Sequence, residues 1–186
     1  MELLEVIRLR KSVRKYTEQP IERRNIEQCV EAARLAPSAD NIQPWRFIVI
    51  DDPEMKKEYV RFVCSGIYRK TRFIQNAPAL IVVIAKLHPV VHRLGKIVTR
   101  TSIHLIDIGI AGEHLVLRAR DMGIGTCWIN FFNVKRAQRF LGLSRTYTVA
   151  SMIAMGYPAE RATRDRPKLP MKKILFFNES HKKRLR

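Results

Sequence analysis

The apolar run Ala-Leu-Ile-Val-Val-Ile-Ala at residues 79–85 constrains the fold of this chain more than any other stretch. A continuous run of this kind, rich in β-branched residues, is typical of a strand buried on both faces. Residues 77–85 carry no charged or strongly polar side chain, but this stretch is far shorter than the ~20 residues that a membrane-spanning helix needs. We therefore expect a central sheet with other elements packed on both sides.

Helical and strand-like patterns alternate along the rest of the chain. Apolar residues repeat at helical spacing from Ile26 to Ala33, and Pro37 ends that helix because a proline disfavours helical backbone at the residue before it. The patterns predict helices at 3–9, 22–35, 54–66, 97–122 and 134–141, and strands at 45–50, 79–85, 126–130 and 147–156. This alternation predicts one domain over residues 1–170, of the α/β or α+β class, followed by a short arm at 171–186.

The long helical stretch at residues 97–122 has apolar residues on nearly all sides. A helix of this kind is normally buried inside a larger structure. Because a chain of 186 residues offers little room for that, a second copy of the protein is a candidate to cover part of it.

Charge dominates the composition, with 35 Lys and Arg against 17 Asp and Glu and a formal net charge of +18. Such a balance raises the possibility of nucleic-acid binding. However, the cations are spread along the chain apart from the run at 181–186, and no recognised nucleic-acid motif is present. We therefore favour a solvated basic surface and do not expect a nucleic-acid partner.

The three cysteines, Cys29, Cys64 and Cys127, are widely spaced and fit neither a disulfide framework nor a metal site. Cys29 and Cys127 lie in apolar patterns and are expected in the core. The acidic first residues lack the apolar stretch of a signal peptide, so we expect a cytoplasmic protein without a membrane partner.

Three cations and a hydroxyl fall within five residues at Arg10-Lys11-Ser12-Val13-Arg14. In extended backbone, Arg10, Ser12 and Arg14 lie on one side, and arginine is suited to binding phosphate through two donors at once. Taken alone, the motif fits a solvated helix end better, since cations near a helix C-terminus are favourable.

A second polar motif, Pro-Ser-Ala-Asp-Asn-Ile-Gln-Pro-Trp at 37–45, lies between a predicted helix and a predicted strand. Asn41 and Gln43 carry amide groups that can pair with a planar hydrogen-bonding ligand, and the prolines stiffen the loop. An ordinary polar loop is the alternative.

Together the two motifs resemble the nitroreductase family of flavin mononucleotide (FMN) enzymes, with Lys11 in place of a usual arginine. The resemblance continues through later motifs and covers about residues 3–168. These motifs are Asn76-Ala77-Pro78, Asp107-Ile108-Gly109, Gly123-Ile124-Gly125-Thr126, Gly156-Tyr157-Pro158 and Arg164-Asp165-Arg166-Pro167. It implies an α+β nitroreductase-like fold, with a mixed sheet flanked by helices, in an intertwined homodimer.

The resemblance also implies which residues hold the cofactor. Arg10, Lys11 and Ser12 would bind the phosphate and ribityl chain, and Arg14 would lie near the N1 and O2 edge of the ring. The other half of the site would be formed by four residues of the second subunit: Pro37, Ser38, Asn41 and Gln43. The reactive N5 side would be bordered by the backbone of Trp128, Ile129 and Asn130. Arg164 and Arg166 would close on the phosphate.

The implied activity is an FMN-dependent NAD(P)H oxidoreductase that works in ping-pong order. NADH or NADPH would reduce the flavin, which would then reduce a nitroaromatic, a quinone or a similar small acceptor. The flavin carries this chemistry, so no catalytic side chain is nominated. The alternative is a flavin-binding redox sensor without turnover, or a basic protein associated with nucleic acid.

Overall fold

The structure, a computed structural model, describes residues 1–87, 102–160 and 167–177. Its four strands are β1 (Trp45–Ile50), β2 (Ala79–Lys86), β3 (Gly125–Ile129) and β4 (Tyr147–Gly156). They form one sheet in the order β1-β2-β4-β3, and each neighbouring pair is antiparallel. Every residue of β2 except Lys86 is buried, which confirms the prediction of a central strand.

Helices cover both faces of this sheet. They are α1 (Leu3–Leu9), α2 (Arg23–Arg34), α3 (Pro53–Val63), α4 (Ile103–Asp121) and α5 (Val134–Phe140). Residues of β2 alternate between two cores: Ile81 and Val83 pack with α2 and α4, whereas Leu80 and Val82 pack with α3 and α5. Cys29 belongs to the first core and Cys64 and Cys127 to the second. The α+β class with helices on both sides is therefore confirmed.

Two helices begin at capping side chains that the sequence supplies. The Asp52 carboxylate accepts from Met55 N before α3, and Pro53 occupies the first turn, where its missing N–H does no harm. The Asn133 side chain accepts from Arg136 N before α5. A cap of this kind stabilises a helix by about 1 kcal/mol.

Residues 10–14, called the basic segment below, follow α1 and run in extended form along the free edge of β3. Ser12 and Thr126 form a parallel bridge, and Val13 N donates to Thr126 O at 2.9 Å. Among the described residues, this bridge adds a parallel pairing to a sheet whose four strands all pair antiparallel. A Cβ atom on Gly125 would lie 2.6 Å from Val13 Cγ2, so only glycine permits this approach.

The structure differs from the sequence prediction in local detail. The helix predicted at 54–66 ends at Val63, and a 3₁₀ segment that was not predicted, Gly66–Asn76, follows it. The predicted long helix at 97–122 is observed over Ile103–Asp121, and its first residues, 97–101, lie outside the described residues. Within the described ranges, no helix is long and apolar enough to span a bilayer.

Candidate functional site

A cavity of about 530 Å³ opens where the basic segment meets the beginning of β3 and the chain beyond β4. Its volume falls in the range of small-molecule sites. Among the described residues, three cationic side chains line it: Arg10, Lys11 and Arg120. Glu160 is the carboxylate among its lining residues, and Lys15 Nζ contacts Glu160 Oε1 at 2.8 Å. The cavity is therefore electropositive and suited to an anion.

Arg10, Ser12 and Arg14 all act on one buried group, the thiol of Cys127 in β3. Burial raises the pKa of this thiol, while the charges of Arg14 and Arg10 and a hydrogen bond with Ser12 oppose the rise. Among the described lining residues of the cavity, this segment contributes Arg10, Lys11 and Val13 but not Ser12 or Arg14, so the shared side of Arg10, Ser12 and Arg14 stays a prediction. Arg10 also reaches α4, where its Nε lies 3.7 Å from Glu113 Oε1.

Tyr16 fixes the far end of the same segment. Its hydroxyl donates to Val13 O at 2.6 Å, and burial is the main cause that raises the pKa of this phenol. Thr17 N donates to Tyr157 O at 2.9 Å, and Ala159 N to Lys15 O at 3.1 Å. The segment is therefore anchored at both ends against the sheet, which gives its cations a defined position.

The polar loop after α2 is a compact turn that bonds to itself. Gln43 N donates to Ser38 Oγ at 2.9 Å, and Gln43 Nε2 donates to Asn41 Oδ1 at 2.8 Å. Asp40, Asn41 and Gln43 have left-handed backbone, with φ of 48°, 53° and 48°. Asp and Asn adopt this conformation more readily than other residues with a side chain, and backbone of this kind concentrates at functional sites. Pro37 precedes this turn and is exposed, as are Asn41 and Gln43.

The end of β3 presents the third group of predicted residues. Ile129 is buried, and the ring of Trp128 lies against Gly112 in α4. Asn130 is exposed, and its Oδ1 accepts from Ser151 Oγ at 2.6 Å. The Asn130 side chain is thereby oriented by β4, with its amide N–H groups available for other partners.

Within one protomer, the predicted residues of the basic segment, the loop and β3 lie in two separate places. The basic segment and β3 share one sheet edge, whereas the loop at 38–43 makes its polar contacts with itself, with α4 and with Arg46. The last two predicted residues, Arg164 and Arg166, lie outside the described residues.

Three residues at this site were not predicted. Arg120 lines the cavity, Ser151 orients Asn130, and Asp107 accepts from Ala39 N in the loop. Two of them could have been noticed in the sequence: Ser151 is a polar residue within the apolar second half of β4, and Asp107 is a lone acid in an apolar stretch of helix. Arg120 stands in a mixed pattern at the end of α4 and gave no such signal.

These residues fit a flavin mononucleotide. Arg120 lines the cavity, and its buried Nε has no hydrogen-bond partner among the described residues. The cavity supplies cations for a phosphate, and the loop supplies two amides for a polar ring edge. Charge and hydrogen-bonding chemistry thus agree with the two ends of that cofactor.

Comparison with known proteins agrees with this geometry. The sequence pattern of the nitroreductase family matches residues 7–70 and 66–157. The chain is 34% identical to a candidate NADH dehydrogenase/NAD(P)H nitroreductase of Archaeoglobus fulgidus, over 86% of this chain and 87% of that protein. It is 25% identical to an FMN reductase [NAD(P)H] of Bacillus subtilis, over 88% of this chain and 68% of that protein.

Solved structures give the same result. A nitroreductase family protein of Clostridium novyi NT superposes with a TM-score of 0.76 at 32% identity, covering 89% of each chain. An FMN-dependent nitroreductase of Clostridium difficile R20291 superposes with a TM-score of 0.76 at 28% identity, covering 95% of this chain and 99% of that chain. The fold and the site define a flavoprotein-like α+β protein. The chain belongs to the nitroreductase family.

Proposed function

We propose that this protein is an FMN-dependent NAD(P)H oxidoreductase. The observation that carries the proposal is the anchored basic segment: Arg10 and Lys11 line an electropositive cavity against β3, together with Arg120. Relatives named for NAD(P)H and FMN, among them the Bacillus subtilis FMN reductase, support the same cofactor and donor.

At the phosphate end of the cofactor, the protein would bind mainly through electrostatic attraction. Arg10, Lys11 and Ser12 would bind the phosphate and ribityl chain, helped by Arg120 and by the predicted Arg164 and Arg166. Hydrogen bonds from charged donors to a phosphate are about twice as strong as neutral ones, so this cluster supplies most of the selectivity for a phosphorylated flavin. Arg14, on the same side as Ser12, would face the N1 and O2 edge of the ring.

The ring end needs a second copy of the chain. The loop at 37–43 lies in a separate group from the basic segment within one protomer, so its amides can complete a site only on a partner. Leu105 and Ile106 of α4, the helix that contacts the loop through Asp107, are 49% and 54% exposed. Exposed apolar side chains of this size, grouped on one helix, are typical of an interface. We infer a homodimer with two sites, each built from both chains.

When bound, FMN supplies hydride chemistry between NADH or NADPH and a second small substrate, such as a nitroaromatic or a quinone, in ping-pong order. The backbone from Trp128 to Asn130 would border the reactive N5 side, where Ser151 holds the Asn130 side chain in place. Every described residue of this site acts by binding, orienting or excluding water, so the proposal needs no side chain as acid or base.

Steady-state kinetics test the proposal. Purified protein loaded with FMN should oxidise NADH or NADPH in the presence of a nitroaromatic or a quinone, with parallel double-reciprocal plots as ping-pong order requires. FMN binding without turnover on any such pair would favour the alternative of a flavin-binding redox sensor.

A further inference from the structure

Asp107 is an acidic side chain buried where α4 meets the polar loop. It is 6% exposed, and its Oδ1 accepts from Ala39 N at 3.2 Å. Carboxylates are rarely buried to this degree unless they are paired. Asp107 is the fifth residue of α4, beyond the first turn in which the helix dipole favours an acid. Its hydrogen bond with Ala39 N therefore points to a role in the loop.

The loop that Asp107 contacts has a shape that needs support. Its backbone is left-handed at Asp40, Asn41 and Gln43. Asp and Asn adopt this conformation more readily than other residues with a side chain, so Gln43 is the unusual member of the three. Internal bonds close the turn, but they do not fix its position on the protein. Contacts with the rest of the protein do so: the Asp107 carboxylate accepts from Ala39 N at the beginning of the loop, and at its end Arg46 Nη1 donates to Gln43 O at 3.1 Å and Lys86 N donates to Pro44 O at 2.7 Å.

We propose that Asp107 is a positioning residue: its buried carboxylate holds Ala39 and thereby sets the direction in which the Asn41 and Gln43 amides face the flavin ring. This inference rests on the proposed function. Because α4 also carries the exposed Leu105 and Ile106, Asp107 joins the loop to the helix at the inferred dimer interface. The arrangement of two subunits and the binding of the ring are thus coupled through one side chain.

Three variants isolate this role. Asp107→Ala removes the acceptor, and Asp107→Asn keeps an acceptor oxygen while removing the charge. Asp121→Ala is the matched control, since Asp121 lies on the same helix and makes its own ion pairs, with Arg118 and the N-terminal amine, far along the chain from the loop. Dissociation constants for FMN and for riboflavin are measured for each protein.

A ring-positioning role predicts a particular pattern. Asp107→Ala should weaken FMN and riboflavin by the same factor, about tenfold, because the ring contacts change and the phosphate contacts do not. Asp107→Asn should stay within about threefold of the unmodified protein, and Asp121→Ala should match it. Unchanged flavin affinity in Asp107→Ala, or a loss confined to FMN, would overturn the proposal.

A measurement without flavin separates this inference from the proposed function. Hydrogen exchange of the Ala39 amide should be protected in the unmodified protein and in Asp121→Ala, and faster in Asp107→Ala. Equal exchange in all three proteins overturns the role of Asp107. Failure of the unmodified protein to bind any flavin overturns the proposed function instead.

If Asp107→Ala does not fold, Ala39→Pro removes the donor from the other side of the contact. Ser38 already has the extended backbone that a residue before proline prefers, with φ −143° and ψ 157°. The same equal loss of FMN and riboflavin affinity is expected. Full affinity for both flavins in Ala39→Pro would contradict the proposal.

Discussion

The ring of Trp128 in β3 rests directly on the backbone of Gly112 in α4, and no space remains there for a side chain on residue 112. This contact sets the distance between the sheet and the helix beside the end of β3. Gly112→Ala should lower the free energy of unfolding by about 1–3 kcal/mol, the usual effect of overpacking a core. Chemical denaturation measures the change.

A compensating substitution identifies the cause. Trp128→Phe in the Gly112→Ala background shortens the ring and should recover part of the lost stability, with a clear coupling energy in the double-mutant cycle. Additive effects of the two substitutions would mean that the contact between them does not decide the stability of the variant.

The inferred dimer predicts the effect of a charge on α4. Ile106→Asp places a carboxylate on an exposed apolar side chain, and its burial in an interface would be strongly unfavourable. We expect sedimentation to show a dimer for the unmodified protein and a monomer without bound flavin for the variant. Met55→Asp, on the exposed side of α3, is the control and should leave the dimer intact. An unmodified protein that is monomeric at micromolar concentration and still holds flavin would contradict the inference.

Alkaline pH should destabilise this protein because burial raises the pKa of its thiols and of two phenols. The pKa of Cys29 rises from 9.0 to about 11, and those of Cys64, Cys127, Tyr16 and Tyr59 also rise. Between pH 9 and 11 the unfolded chain loses the Cys29 proton while the folded chain keeps it. The unfolded state then binds fewer protons, so stability falls as pH rises.

The slope gives the test. One such group contributes a loss of at most about 1.4 kcal/mol per pH unit in this window. Urea unfolding at pH 8, 9, 10 and 11 should show a decline that is shallower in Cys29→Ala than in the unmodified protein. Identical slopes in the two proteins would show that Cys29 ionises equally in the folded and unfolded states.

The basic run at 181–186 lies outside the described residues, and its sequence is typical of a solvated terminus. Deletion of residues 180–186 should leave flavin content, turnover and the KM for NADPH unchanged. Retention on DNA at low and moderate salt is compared in parallel, because counterion release makes nucleic-acid binding strongly salt-dependent. A change of several-fold in KM or in DNA retention would assign the tail a partner.

Much of the architecture could be predicted because burial leaves a regular trace in the sequence. The run at 79–85 predicted the central strand, and helical spacing around Cys29 predicted α2 within one residue at each end. The segment Gly66–Asn76 could not be predicted, since its short 3₁₀ turns lack a 3.6-residue period. Gly66 begins it with φ of 60°, which only the structure reveals.

The site was predicted in its residue types more than in its contacts. The spacing of Arg10, Ser12 and Arg14 indicated a shared side, which requires only extended backbone. The bond from Ala39 N to Asp107 joins residues 68 positions apart and has no local signature. Arg120 lines the cavity because the C-terminal end of α4 lies next to the basic segment in the folded chain. Contacts of this kind depend on the tertiary fold.

The central claim is that the basic segment binds the phosphate of a flavin mononucleotide, and affinities for FMN and riboflavin test it most directly. We predict tighter binding of FMN than of riboflavin, and a loss of about 1.5–3 kcal/mol in FMN binding for Arg10→Ala, the range for a hydrogen bond to a charged group. Riboflavin binding should not change, and Arg8→Ala, an exposed cation two residues away, should match the unmodified protein. Equal affinity of the unmodified protein for FMN and riboflavin would contradict the account.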